Sequence, residues 1–169
     1  RAAGLARSAG LENIFPLGKP GQVRKPKALR RGDKVRVVAP AGVWDDGRMD
    51  RGRALLESWG LRVEGPGSST PYRYMAAPDR ERARDLQEAF MDVDSTAVLC
   101  ARGGFGSARA AALLEPAFFR RIPPKLFVGF SDISVLLLRV VSEADLVCFH
   151  GPMVAADLPS ASEQAADRL

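Results

Sequence analysis

A chain of 169 residues that is 46% hydrophobic and 27% charged has material for one soluble-type domain with a real core, and no apolar run in it approaches the ~20 residues of a membrane span. Its two cysteines, Cys100 and Cys148, lie inside apolar strand-like runs, which suits buried reduced thiols and not a disulfide framework. The net charge of +5 is lopsided: residues 1–36 hold ten Lys/Arg against two acidic residues, whereas the remainder is net −3, so the domain has no basic face for nucleic acid.

Residues 1–27 are rich in Ala, Gly, Pro and basic side chains without periodicity and are expected to be a flexible basic arm. They lack an initiator Met and the apolar core of a signal peptide. The domain is expected over residues 28–158. Residues 34–39 (Lys-Val-Arg-Val-Val-Ala) predict a first strand ended by Pro40 and Gly42, and residues 46–59 a helix stopped by Gly60. A short strand at 61–63 and a Gly/Pro/Ser/Tyr-rich loop at 65–75 precede a second helix opened by Pro78. Asp79 and Glu81 sit in its first turn, and Ala83, Leu86 and Phe90 form its apolar face. Residues 96–101 predict the third strand, followed by Arg102-Gly103-Gly104-Phe105-Gly106-Ser107 and an Ala/Leu helix to about 114. After a short helical piece at 116–121, residues 126–130 predict a fourth, buried strand. A buried helix starts at Ser134 and ends near Asp145, and residues 146–149 predict a fifth strand before His150-Gly151-Pro152-Met153. The capping box Ser160-Ala161-Ser162-Glu163 opens a further helix over 159–169. It is expected to lead into a C-terminal domain beyond Leu169.

Strands alternating with helices at this spacing predict an α/β domain: a mostly parallel sheet flanked by helices on both faces, a three-layer arrangement of flavodoxin-like or amidotransferase-like type. Ligands in such sheets sit at the C-terminal strand ends. The turn at 40–42, the loop at 102–107, Ser131 and His150 all fall there. A serine on a tight strand-to-helix turn presents its hydroxyl above the sheet with backbone N–H groups opening toward it, which suits a nucleophile, although such residues more commonly cap helices. Gly103, Gly104 and Gly106 suit a phosphate cradle, an oxyanion hole or a plain tight turn. His150, the single histidine, could pair with Ser131, with Asp145 or Asp157 behind it, or serve only as a structural hydrogen-bonder. One histidine and two separated cysteines offer no metal-ligand cluster.

Five segments together resemble the serine LD-carboxypeptidases, a family of murein tetrapeptide carboxypeptidases and microcin-immunity peptidases. They are Leu29-Arg30-Arg31-Gly32-Asp33-Lys34-Val35 leading to Val38-Ala39-Pro40-Ala41-Gly42; Asp79-Arg80-Glu81-Arg82-Ala83-Arg84-Asp85-Leu86; Cys100-Ala101-Arg102-Gly103-Gly104-Phe105-Gly106; Pro124-Lys125-Leu126-Phe127-Val128-Gly129-Phe130-Ser131-Asp132-Ile133-Ser134; and His150-Gly151-Pro152-Met153. The resemblance implies that Ser131 is the nucleophile, that the backbone N–H groups of Asp132 and Gly104 form the oxyanion hole, and that Arg102, Gly103, Phe105 and His150 stand against the substrate. It further implies a murein peptide substrate cut before a terminal D-residue, no metal or organic cofactor, a cytoplasmic location, and a homodimer when full length. The Glu and His completing the triad would come from a C-terminal domain, leaving this chain inactive alone. A microcin-type aminoacyl-nucleotide peptidase, or a non-catalytic small-molecule or nucleotide-binding α/β domain, are the alternatives.

Overall fold

In a computed structural model, residues 22–66 and 71–160 are described, and they form a five-stranded, all-parallel sheet in the order β2-β1-β3-β4-β5. The strands are β1 (Lys34–Val38), β2 (Arg62–Glu64), β3 (Ser95–Cys100), β4 (Leu126–Gly129) and β5 (Phe149–His150). The helices are α1 (Asp46–Ser58), α2 (Asp79–Met91), α3 (Ser107–Ala111), α4 (Pro116–Arg121) and α5 (Ser134–Ala144), with 3₁₀ turns at Ser131–Ile133 and Leu158–Ser160. The α/β class and the parallel sheet are thus as expected.

Alternate side chains of the central strands enter two cores. Val98, Cys100 and Phe127 face a layer built from α2 to α5, where Phe90 meets Phe127 edge-on at 5.0 Å. Val35, Val37, Ala97, Leu99 and Val128 face α1 and the 153–158 segment. This two-sided burial explains why the strands read as continuous apolar runs instead of an alternating pattern. On the second face a groove of about 280 Å³ lies between Leu56 of α1 with Trp59 just after it and Leu99, Leu126 and Val128 of the sheet.

Helix ends follow their sequence signals. Asp45 caps α1, its carboxylate accepting from the Arg48 N–H at 2.8 Å. The chain leaves that helix through Gly60 at φ 85°. Pro78 precedes α2, with Asp79 and Glu81 in the first turn.

Three expectations need correction. The fifth strand is Phe149–His150, not 146–149; Leu146 is buried but forms only an isolated parallel bridge with Arg24. Arg24 belongs to residues 22–27, which the sequence assigned to the arm. There it is docked, its guanidinium donating to Ala144 O and Ile122 O and so closing the ends of α5 and α4. α5 is buried on one side only, because Val135, Leu138 and Val141 are exposed. Most of the arm, residues 1–21, lies outside the described residues, as does the helix expected over 159–169 from residue 161 onward. Cys100 is buried, Cys148 half-buried, and both are free thiols. Burial raises both, Cys148 to about 12, so neither is a ready nucleophile.

Candidate active site

Ser131 follows β4 after Phe130 and opens the Ser131–Ile133 turn. Its φ is +62°, in the left-handed region that a non-glycine residue enters at a cost of about 1–3 kcal/mol. Gly129 packs so tightly beneath the turn that a Cβ there would lie 2.7 Å from Ile133 Cγ2 and 3.2 Å from Cys100 Sγ. The turn closes directly over the end of the strand, and Ser131 opens it. It is exposed at the C-terminal sheet edge, and its hydroxyl has no hydrogen-bond partner among the described residues.

The glycine-rich loop after β3 meets it. A Cβ at Gly103 would sit 3.0 Å from Ser131 Cβ and 3.2 Å from its Oγ, so only glycine lets the loop approach this closely. The Gly42 N–H donates to Gly103 O at 3.1 Å. In a planar trans peptide the N–H points opposite to the C=O, so the Gly104 N–H is turned away from the Gly42 turn. Gly104 and Gly106 both take positive φ, 119° and 107°. At the far end of the loop, the Ser107 N–H donates to the Asp132 carboxylate at 2.8 Å and the Ser107 hydroxyl donates to Asp132 O. The Asp132 side chain is thus a brace tying α3 to the serine turn. Its own N–H lies in the first turn of a 3₁₀ helix, where N–H groups have no intrahelical acceptor.

Ser131, Gly103, Gly104, Arg102 and Phe130 line one cavity of about 340 Å³, completed by Asp45, Arg48, Met153, Ala155 and Ala156. Arg102 donates to Val43 O at 3.0 Å, and Arg48 donates to Ala155 O at 2.9 Å and to Ala156 O. Two cations therefore flank the serine. Phe105 and His150 do not line this cavity. Phe105 is exposed and packs edge-on to Tyr74 at 5.8 Å, forming a rim. The His150 ring leans on Phe130 at 5.5 Å, and neither ring nitrogen has a hydrogen-bond partner among the described residues. Asp157 is engaged with the Met153 N–H at 2.9 Å. The three side chains Ser131, His150 and Asp157 are thus not joined into a relay.

Asp45 and Arg48 were missed from the sequence. A capping Asp three residues before Arg, just after a strand-ending Pro-Ala-Gly, was the available signal, since it brings the first turn of α1 to the same sheet edge. Among the described residues no group of three or more His, Cys, Asp or Glu could hold a metal ion, and no helix is long and apolar enough to cross a membrane.

Comparison with known proteins agrees with this geometry. Residues 35–151 match the model of the LD-carboxypeptidase N-terminal domain. The chain is 44% identical over 135 residues to a probable murein peptide carboxypeptidase of Bacillus subtilis, covering 79% of this chain and 42% of that protein. The muramoyltetrapeptide carboxypeptidase of Oxalobacter formigenes superposes with a TM-score of 0.70 at 30% identity, over 79% of this chain and 45% of that one. The microcin C7 self immunity protein MccF shares the fold, with a TM-score of 0.75 at 20% identity over 85% of this chain and 44% of the other. The chain spans less than half the length of the curated relatives it matches. From the strand-end serine, the glycine loop against it and the family match over residues 35–151, the chain belongs to the LD-carboxypeptidase family.

Proposed function

We propose that Ser131 is the nucleophile of a serine-type LD-carboxypeptidase that removes the terminal D-amino acid from murein tetrapeptides, in the cytoplasm and during wall recycling. The observation carrying this is the exposed Ser131 hydroxyl, held in a left-handed turn against Gly103 and free of any hydrogen bond among the described residues. Its Oγ adds to the carbonyl of the L,D-peptide bond. The oxyanion that forms is received by the N–H groups of Asp132 and Gly104, each such donor contributing a few kcal/mol to lowering the barrier. Collapse, with the serine's proton passed by the general base to the leaving nitrogen, releases the D-amino acid and leaves an acyl-serine, which water then hydrolyses. Arg102 and Arg48, on the wall of the same cavity, suit the negative charge of a peptide carboxylate.

Among the described residues no base is hydrogen-bonded to Ser131: the His150 ring lies tilted against Phe130, 5.5 Å between centroids, and the Asp132 carboxylate accepts from Ser107. The general base, a His oriented by a Glu, is therefore assigned to a C-terminal domain of a longer chain, which as a whole forms a homodimer. Residues 1–169 are accordingly inactive alone. The relatives named for murein peptides are more similar to this chain than the microcin immunity protein is, which favours the murein substrate over an aminoacyl nucleotide. The test is hydrolysis of an L,D-tetrapeptide by the full-length protein. Ser131→Ala is expected to abolish it, and retained activity in that variant would refute the assignment. Hydrolysis by residues 1–169 alone would refute the missing-base argument. Nucleotide binding that raises the melting temperature and survives Ser131→Ala would favour a non-catalytic domain.

A further inference from the structure

Arg82 has no role in the chemistry described so far, yet its guanidinium is among the most completely buried polar groups of the protein, at 1% exposure. Arginine is almost never enclosed to this degree unless fully paired, because desolvating the charge is costly. Here every edge of the guanidinium is used. Nε donates to Ala77 O at 2.9 Å, and Nη1 donates to Gly106 O at 2.7 Å and to Pro40 O. Nη2 donates to the Asp79 carboxylate and lies 3.3 Å from Met75 Sδ.

The acceptors are distributed in an informative way. Pro40 O belongs to the turn after β1, and Gly106 O to the far end of the glycine loop after β3. The near end of that loop is fastened to the same turn by the Gly42 N–H to Gly103 O bond. The stretch 103–106, which carries the Gly104 N–H, is thus pinned at both ends to one turn. Gly106 must be glycine for the guanidinium to sit there, since a Cβ would come within 3.0 Å of Nη1 and 2.9 Å of Met75 Sδ. A hydrophobic residue of similar size would fill the space but leave Pro40 O without its donor, and Gly106 O held only by the Arg109 and Ala110 N–H groups of its own helix, no longer tied to the turn after β1. What distinguishes arginine is its ability to hold two strand-end loops in fixed register.

We propose that Arg82 is a positioning residue for catalysis: it sets the 103–106 loop, and through it the Gly104 N–H, at the height over Ser131 that the reaction's oxyanion requires. This rests on the assignment of Ser131 as nucleophile. A misplaced oxyanion donor weakens binding of the transition state while leaving the substrate's ground-state contacts in place. The defect of an Arg82 variant should therefore fall on kcat.

The experiment is steady-state hydrolysis of an L,D-tetrapeptide by the full-length protein carrying Arg82→Lys or Arg82→Met. Active enzyme is counted by fluorophosphonate labelling of Ser131, and the fold is checked by thermal melting. Lysine keeps the charge but, as a point donor, cannot span both loops. Arg82→Lys is expected to lower kcat per labelled site about thirtyfold with KM within about threefold, and Arg82→Met to lower it further. If Arg82→Met does not fold, Arg82→Lys decides alone. A folded Arg82→Lys protein with kcat within twofold of wild type overturns the proposal. So does a loss confined to KM, or one accounted for by the folded fraction. Ser131→Ala is the control that separates the two layers. Activity surviving in it would bring down the nucleophile assignment and this inference together, whereas a dead Ser131→Ala beside a fully active Arg82→Lys would remove only the role of Arg82.

Discussion

Among the described residues two cations are buried, Arg82 and Lys125, and they lie at opposite edges of the same sheet. Lys125 stands just before β4, 4% exposed, and its ammonium donates to Ala89 O at 3.1 Å, to Asp92 O and to Ser95 Oγ. It thereby closes the C-terminal end of α2 onto the start of β3. Around it the N-terminal edge is laced by ion pairs, Lys34 to Asp92 at 3.0 Å and Arg36 to Asp92 at 3.3 Å. Arg82 is the same kind of device at the C-terminal edge, but its acceptors are the loops that face Ser131. In parallel α/β sheets the C-terminal edge is where chemistry is placed. On the proposed roles of Ser131 and Arg82, the same physical means serve stability at one end of the strands and geometry of reaction at the other.

The contrast is broken most directly by Lys125→Met. Losing the ammonium removes its charged hydrogen bonds to Ala89 O and Asp92 O, which keep only Ser95 as a donor from outside α2, and a bond of this kind contributes about 1.5–3 kcal/mol. A fall in unfolding free energy of about 3 kcal/mol is expected in denaturant titration. kcat should be unchanged at temperatures where the protein stays folded, and a kcat defect per folded molecule would erase the division of labour between the edges.

Gly103→Ala probes the other edge. The new methyl lies 3.2 Å from Ser131 Oγ and 3.0 Å from its Cβ, so the loop or the serine must shift by a few tenths of an ångström. A displacement on that scale is expected to lower kcat/KM about a hundredfold, with the melting temperature little changed. A stability loss without a kinetic one would place Gly103 among the packing glycines instead.

How much of this was legible beforehand differs element by element. The order of strands and helices followed from apolar runs and their Gly/Pro punctuation, because two-sided burial leaves a strong hydropathy signal. β5 was misjudged because Leu146 is buried without being paired in the sheet, and hydropathy reports burial, not pairing. Ser131 was findable only through its neighbouring motif. Its positive φ occurs in a turn that closes over Gly129, against Ile133 and Cys100, an arrangement that local propensity does not encode. Arg82 sits in a run of charges that reads as a solvated helix face. The clue was register: Arg82, Leu86 and Phe90 fall at i, i+4 and i+8, so one charge of the run points inward with the apolar stripe.

The pH dependence of stability separates the two edges once more, with smaller effects. Burial is the main cause pulling Lys125 down to about 8, outweighing the attraction of Asp92. Its ordinary value is 10.5, so between about pH 8 and 10.5 the unfolded chain holds a proton that the folded chain has released. Stability should then rise with pH across that window, by on the order of 2 kcal/mol, and this rise should be missing in Lys125→Met.

Asp79, at the C-terminal edge, has the opposite sign. The hydrogen bond from Arg109 holds its carboxyl below the usual range, against some burial, and the charges of Arg109 and Arg82 add to this. A carboxylate with a lowered folded pKa stabilises fully above its unfolded value and loses that contribution as pH falls through the folded one. Asp79→Asn should therefore soften the acid limb of the stability curve below about pH 4. Because Asp79 also receives Arg82, the same variant loosens one arm of the guanidinium while leaving the donors to Pro40 O and Gly106 O in place. Its kcat is expected to fall only a few-fold, less than in Arg82→Lys. A larger kinetic loss than in Arg82→Lys would mean that the carboxylate, and not the clamp on the loops, is what the C-terminal edge depends on.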